Sequence, residues 1–268
     1  MKRQASAIRV FVRGIRTQKR VLGALIMRDV ITRWGRRNLG FAWVFVEPLS
    51  FAVPVLLIWR AMRGDLEHGL PLTAFLWSGY LPILLFRHAT NSSIGLIRGS
   101  SGLLYHHCVT PLDAFTSNFI LDLVGSWAAM AFSFALFYLF GAMDLPENLG
   151  LFLGGIGIMA WWALSMALIV ACLSERSEAF AHIWQTISYI YFIVCGFFFL
   201  CVWLPDKLRD LALATMPSVH AYEMIRAGLF GSKFRPYYDV GYVSFYLAIV
   251  TVIGLWLMRD VREHLEID

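Results

Sequence analysis

Few side chains in this sequence sit where chemistry is possible, and their positions narrow what that chemistry is. Glu47 is the lone charge in the apolar run 39–59. On insertion scales such a carboxylate costs about 2.5–3.5 kcal/mol at the centre of a bilayer, so it must pair with a neighbouring helix or line a hydrated pathway. It lies roughly eight residues into the run, about 12 Å at helical rise. Asp122 is shallower and is expected to mark a membrane boundary. His106 and His107 are adjacent, so they point to different sides of any helix or strand and make poor metal ligands. His220, Glu223 and Arg226 share a helical spacing, and Glu223 can reach Arg226 three residues on. With Arg209 they are expected to form a structural network. A final group is aromatic: Tyr189, Tyr191, Phe192, Phe197, Phe198 and Phe199. Tyr191, Phe198 and the pair Tyr189/Phe192 cannot all face lipid on one helix. Aromatic faces suit the C–H surfaces of sugars, although simple helix packing would also use them.

Motif absences exclude several classes. The sequence has no G-x-x-x-x-G-K-[ST], G-x-S-x-G or H-E-x-x-H, so it predicts neither a phosphate-cradling loop, a nucleophile elbow nor a zinc-protease helix. The cysteines (Cys108, Cys172, Cys195 and Cys201) follow no metal or disulfide spacing. Three of them fall in or beside apolar runs, as buried structural thiols do. No metal is expected.

What must position these residues is a set of membrane spans. The runs 69–86, 123–143, 148–174, 179–205 and 240–258 contain no Asp, Glu, Lys or Arg. A bilayer core about 30 Å thick takes roughly 20 apolar residues per helix. The chain is 59% hydrophobic and 15% charged, with mean hydropathy +0.64. Backbone groups must be satisfied within lipid, so the expected fold is an all-α polytopic membrane protein. Six transmembrane helices are predicted at about 39–59, 69–86, 114–143, 148–174, 179–205 and 240–258. They form one domain, 39–268, preceded by a basic arm, 1–38. Prolines inside the first two spans (Pro48, Pro54, Pro71 and Pro82) predict kinks.

Charge gives the orientation. The arm holds eleven Lys and Arg against Asp29 alone, so it carries +10 while the rest of the chain carries −5. Basic residues flanking the first helix stay in the cytoplasm. Six spans then return the C-terminus to the same side. The arm does not read as a cleavable signal, because charges interrupt its apolar residues every few positions. Over 7–31, apolar residues recur at three- and four-residue spacing opposite Arg9, Arg13, Arg16 and Arg20, which predicts an interfacial helix meeting anionic headgroups. The segment 87–122 is cytoplasmic on this topology, and its centre, Leu103 to Asp113, is suited to docking on a protein. Segment 206–239 offers two short amphipathic stretches parted by Met216-Pro217-Ser218. They predict a re-entrant or interfacial outer hairpin.

Three stretches together resemble one family. The first is Arg28-Asp29-Val30-Ile31-Thr32-Arg33-Trp34 with Leu39-Gly40, Trp43 and Glu47-Pro48. The second is Leu104-Tyr105-His106-His107 to Thr110-Pro111-Leu112-Asp113. The third is Leu204-Pro205, Arg209, Met216-Pro217, His220, Glu223 and Arg226, ending Gly228-Leu229-Phe230. The chain resembles the permease subunits of ABC-2 type exporters, in the capsular polysaccharide (KpsM-like) branch. The resemblance implies a homodimer in the bacterial inner membrane with two separate ATP-binding cassette ATPase subunits. The chain would then hold no cofactor and do no catalysis, because ATP and Mg would bind on the partner. Periplasmic adaptor and outer-membrane export proteins would continue the route for a lipid-linked polysaccharide, and no nucleic acid is involved. By the same resemblance, residues 97–112 form the segment that the ATPase moves. Arg28, Arg33, Tyr105, His106, His107, Pro111, Asp113, Glu175 and Arg176 would take part in that coupling. The expected substrate path comprises Glu47, Tyr189, Phe192, Phe197 and Phe198. Alternatives are the same machinery carrying O-antigen, teichoic acid or a small hydrophobic drug, an intramembrane acyltransferase using His106 or His220 as base, or a passive channel or scaffold.

Overall fold

The computed structural model describes residues 2–34, 40–67, 69–100, 102, 109–233 and 235–265. Helix α1 (Lys2–Trp34) leads into α2 (Gly40–Arg63). A two-residue antiparallel pair follows, β1 (Leu66–Glu67) with β2 (Leu70–Pro71), in which Leu66 faces Pro71 and Gly69 takes φ +87° in the turn. Next come α3 (Leu72–Ser92), the single turn α4 (Leu96–Gly99) and α5 (Pro111–Leu139). The remaining elements are α6 (Leu149–Arg176), α7 (Glu178–Val194), α8 (Asp206–Thr215), α9 (Pro217–Phe230) and α10 (Val240–Leu265).

Local sequence explains the helix starts. Pro111 occupies the first turn of α5, where its missing N–H costs nothing. Thr110 and Asp113 bond each other's backbone N–H in a reciprocal capping box. Asn148 accepts from the Leu151 N–H to start α6, and Ser177 accepts from the Phe180 N–H to start α7.

Among the described residues, four helices are long and apolar enough to cross a membrane: α2, α5, α6 and α10. Apart from Glu47, Ser50 and its basic end, α2 is apolar and largely uncovered, with Trp43, Phe51, Leu57, Ile58 and Met62 all strongly exposed. A helix of that kind belongs in lipid or against a partner. α10 presents Phe245, Ile249, Val252, Ile253 and Trp256 outward. The two other expected spans differ. α3 is buried from Leu72 to Phe86 on almost every side and carries Trp77, Ser78, Gly79, Tyr80 and Pro82, which lower its hydropathy. The run 179–205 divides: α7 ends at Val194, Gly196 turns at φ +105°, and a 3₁₀ turn covers Cys201–Trp203.

α6 is the central column. It packs against α3, α7, α9 and α10. Its joint with α9 is built on small residues. A Cβ on Gly155 would lie 2.7 Å from the Ile225 backbone nitrogen, and one on Gly228 would collide with the Phe152 backbone. The two backbones meet there, as close-packed membrane helices do. α9 is buried at every position, whereas α8 has no buried residue. The 206–239 segment therefore consists of one exposed helix and one inside the bundle, rather than two helices lying on its surface.

Substituting Gly228→Ala is expected to destabilise the protein by about 1–3 kcal/mol, because neither backbone can yield. Thermal unfolding in detergent would show this as a lowered Tm, with Gly157→Ala, where a Cβ meets nothing within 4 Å, as the unaffected control.

Candidate functional site

Four sets of side chains carry the polar and aromatic organisation. The first joins the arm to α5. Arg33 donates from Nη1 to Asp122 Oδ1 at 2.6 Å and from Nη2 to Asn118 Oδ1. Ser92 Oγ of α3 donates to Asp122 Oδ2 at 2.5 Å, and Asn118 Nδ2 donates to Ser92 Oγ at 2.8 Å. Closer to the helix start, Asp29 accepts from Ser117 Oγ at 2.6 Å and from Arg28. Gln18 Nε2 donates to Asp113 Oδ1 at 3.3 Å. Asp122 is buried, and Arg33 and Ser92 both donate to it, as a buried polar side chain requires. Arg33 and Asp122 thus pair across 89 residues, a contact that reading Asp122 as a boundary residue does not give. One signal was present: Asn118, Asp122, Ser126 and Ser133 recur at spacings of four and seven along one face of α5.

The second set is a cavity of roughly 380 Å³ between α2, α3 and α5, lined in part by Arg33, Glu47, His88, Asn91, Asp122 and Ser126. Glu47 Oε1 lies 3.4 Å from His88 Nε2. It therefore both meets a neighbouring helix and faces an open space. Asn91 Oδ1 and Ser126 Oγ are buried and find no hydrogen-bond partner among the described residues. Unsatisfied polar atoms facing a cavity of this size are the conditions under which water is held.

The third set is aromatic. Gly196 lets the chain reverse after α7, and the rings that follow fold back on the helix. Phe197 lies 5.1 Å from Phe192 and 4.1 Å from Phe198 between ring centroids. Trp59 of α2 reaches Phe198 at 6.1 Å, and Tyr80 of α3 lies 6.4 Å from Phe197. Gly79 leaves room for the Phe197 ring, where any Cβ would collide with it. Phe197 is buried and Phe198 is 36% exposed. Tyr189 is on the exposed side of α7, with the Arg87 guanidinium 4.4 Å above its ring. The structure thus clusters Phe192, Phe197 and Phe198. It sets Tyr189 at their edge and Glu47 in the neighbouring cavity, with Phe51 stacked on Tyr80 at 4.7 Å between the two. Tyr191 points inward instead, donating to Ser218 Oγ and accepting from Trp162 Nε1.

The fourth set holds the hairpin. Arg226 is fully buried. It donates to the carbonyls of Gly196 at 2.8 Å, Phe197 at 2.5 Å and Phe199 at 2.6 Å, and its guanidinium lies 4.3 Å from the Phe75 ring centroid. Glu223 accepts from the N–H groups of Cys201 at 3.0 Å and Tyr237 at 2.9 Å. The two side chains engage backbone groups of different loops, so the sequence-predicted Glu223–Arg226 pairing is not how either is satisfied. His220 Nδ1 accepts from the Asp239 N–H at 3.1 Å, which leaves Nε2 to donate to the Leu213 carbonyl at 2.8 Å. Its tautomer is fixed and both ring nitrogens are engaged, so His220 has no free nitrogen with which to act as a base. Arg209 is tied to Asp206 at 2.7 Å and lies 4.5 Å from the Tyr237 ring centroid.

Of the expected coupling residues, Pro111 and Asp113 serve the start of α5. Arg98, which was not singled out, donates to Glu178 Oε1 at 2.7 Å and to the Glu175 backbone carbonyl, while its own N–H reaches the Glu175 carboxylate. Arg176 pairs with Asp260 of α10. Tyr105, His106 and His107 lie outside the described residues.

A family model described as ABC-2 type transporter matches residues 20–230. The chain belongs to the ABC-2 type transporter family. The match ends at Phe230, the last residue of α9. Among curated relatives, a capsule polysaccharide export inner-membrane protein CtrC of Neisseria meningitidis serogroup B is 33% identical over 96% of both chains. A capsule polysaccharide export inner-membrane protein BexB of Haemophilus influenzae is 32% identical over the same shares. The polysialic acid transport protein KpsM of Escherichia coli is 23% identical over 93% of this chain and 96% of its own.

Two outcomes are expected. Replacing Arg226 with Met leaves three carbonyls without donors and costs about 3–5 kcal/mol, read as a large fall in Tm; Arg226→Lys recovers part of the loss. Burial pushes the His220 imidazole below its ordinary range. Its contribution is therefore complete above the ordinary histidine pKa and is lost as pH falls below it. Tm should drop between about pH 7.5 and pH 5, and His220→Asn should flatten that slope.

Proposed function

We propose that this chain is the permease subunit of an ATP-driven exporter that moves lipid-linked capsular polysaccharide across the bacterial inner membrane. The observation that carries the reading is near-full-length similarity, at about one-third identity, to relatives named for capsule polysaccharide export. The apolar spans and the aromatic cluster at the turn after α7 support it.

On this reading the protein is a homodimer with six spans per chain. α3 and the divided 179–205 run complete the four long apolar helices. The basic arm keeps the N-terminus in the cytoplasm, and the C-terminus lies on the same side. α9 enters the bundle from the outer side as the inner limb of a re-entrant hairpin. The chain holds no nucleotide. ATP and Mg bind two separate ATPase subunits, and periplasmic adaptor and outer-membrane proteins receive the polymer.

Coupling runs through the cytoplasmic segment 97–112. Arg98 ties that segment to the α6–α7 turn, and Arg176 ties the same turn to α10. Through Thr110, Pro111 and Asp113 the segment continues into α5, whose polar side chains hold the arm at Asp29 and Arg33. A push on this segment would therefore reach α5, α6, α7 and α10, and the arm through α5. Glu47, Phe192 and Phe198 line the pathway, with Phe197 buried behind them and Tyr189 at its margin. The ATPase cycle biases the two arrangements of the pathway only through contacts that differ between them.

The test is expression with the genomic neighbours, followed by purification in nanodiscs. A two-plus-two complex with an ATPase subunit that hydrolyses ATP, and restored surface polysaccharide in a strain lacking this chain, are expected. A chain that purifies alone and restores nothing would refute the reading. Within the complex, Arg98→Ala is expected to lower export about five- to tenfold, the scale of a typical coupling energy, at unchanged membrane abundance.

A further inference from the structure

The segment that joins the hairpin to α10 builds a second concave surface, separate from the aromatic turn. It is an open cleft of roughly 500 Å³, with Asp210 of α8 on one wall and Arg235, Tyr237, Tyr238, Asp239 and Tyr242 on the other. That volume falls within the range of small-molecule sites, about 300–1,000 Å³.

Its rings are held in place from behind. Tyr242 spends its hydroxyl on the Ala214 carbonyl at 2.8 Å, and its N–H donates to Asp239 Oδ1 at 2.9 Å. Tyr237 has its N–H on Glu223, while Arg209 and Arg235 lie 4.5 Å and 5.8 Å from its ring centroid. Tyr238 and Tyr242 nevertheless remain 37% and 42% exposed. A tyrosine of an interfacial belt keeps its hydroxyl for water and headgroups. Tyr242 has given up that freedom and offers a fixed ring instead.

Around the rings, Asp210 and Asp239 supply carboxylate acceptors and Arg235 supplies a planar donor fork, all three exposed. Charges of both signs beside a rigid aromatic wall suit a ligand that is neither a bare anion nor an apolar chain. They match a pyranose, whose C–H face stacks on a ring while its hydroxyls bridge carboxylate and guanidinium.

We propose that this cleft is a saccharide-binding site on the outer face, holding the polysaccharide as it leaves the membrane pathway. The inference rests on the export reading above and deepens it by giving the polymer a second, extracytoplasmic contact. Being open, the cleft can bind along a chain and needs no free end. Because its walls are already ordered, little conformational entropy is lost on each passing contact.

The test uses the full chain in cells that export polysaccharide. A benzoylphenylalanine photoprobe replaces Tyr238, and adducts are classed as glycan, protein or lipid. Glycan adducts are expected, and adding Asp210→Asn or Tyr242→Ala should reduce them about fivefold or more. Asp210→Asn guards against misfolding, since the Asp210 side chain is largely exposed. If export proceeds and the probe captures only a protein, only lipid or nothing, the cleft proposal is overturned and the export reading stands. If the wild-type chain restores no export, both fall together.

Discussion

One buried cation organises the part of this molecule built from α9 and the turn after α7. Arg226 makes no ion pair among the described residues; its Nη1 and Nη2 donate to three carbonyls of a single turn, while Nε finds no partner there. Removing a guanidinium from water costs several kcal/mol. That cost is met only while those carbonyls converge on it, so the turn and the helix fix each other. Glu223, one turn earlier, performs the complementary task for backbone N–H groups at Cys201 and Tyr237. A single helix thus satisfies orphan donors and orphan acceptors from the loops around it.

The aromatic turn inherits its position from this arrangement. Gly196 to Phe199 has no helical hydrogen bonds of its own to order it, yet Phe197 is buried against α3 and Phe198 is presented toward α2. The rings are placed by the backbone that Arg226 holds. They are also placed by a gap: the missing side chain at Gly79, into which Phe197 fits. Charge at one residue and absence at another together place the rings of this turn.

Much of this was legible in the sequence, and the parts that were not share a cause. Uncharged runs foretold a helical membrane protein, and Met216-Pro217-Ser218 foretold the break between α8 and α9, because each depends on local chemistry. Spacing also brought His220, Glu223 and Arg226 to notice. It could not give their partners, since three-residue spacing pointed Glu223 at Arg226 while tertiary contacts turned both toward backbone. Arg33 with Asp122, and Arg98 with Glu175 and Glu178, join residues some 80 to 90 positions apart. No periodicity encodes a contact at that range. The division of 179–205 was hidden for a different reason: an apolar composition is the same whether the chain is helical or turning, and only Gly196 marked the place.

The two kinds of joint in the bundle have different mechanical character. At Gly155 and Gly228, α6 and α9 meet backbone to backbone with nothing between them. Such a seat cannot slide by a fraction of a turn, because interlocked surfaces offer discrete positions rather than a continuum. Between α1 and α5 the contact is instead a row of directed hydrogen bonds, in which Asp113, Ser117, Asn118 and Asp122 are buried and are met by Gln18, Asp29 and Arg33. Sliding there would strip buried polar groups of their partners. One joint therefore keeps its register by shape and the other by direction, and the arm is keyed to α5 rather than free to glide along it.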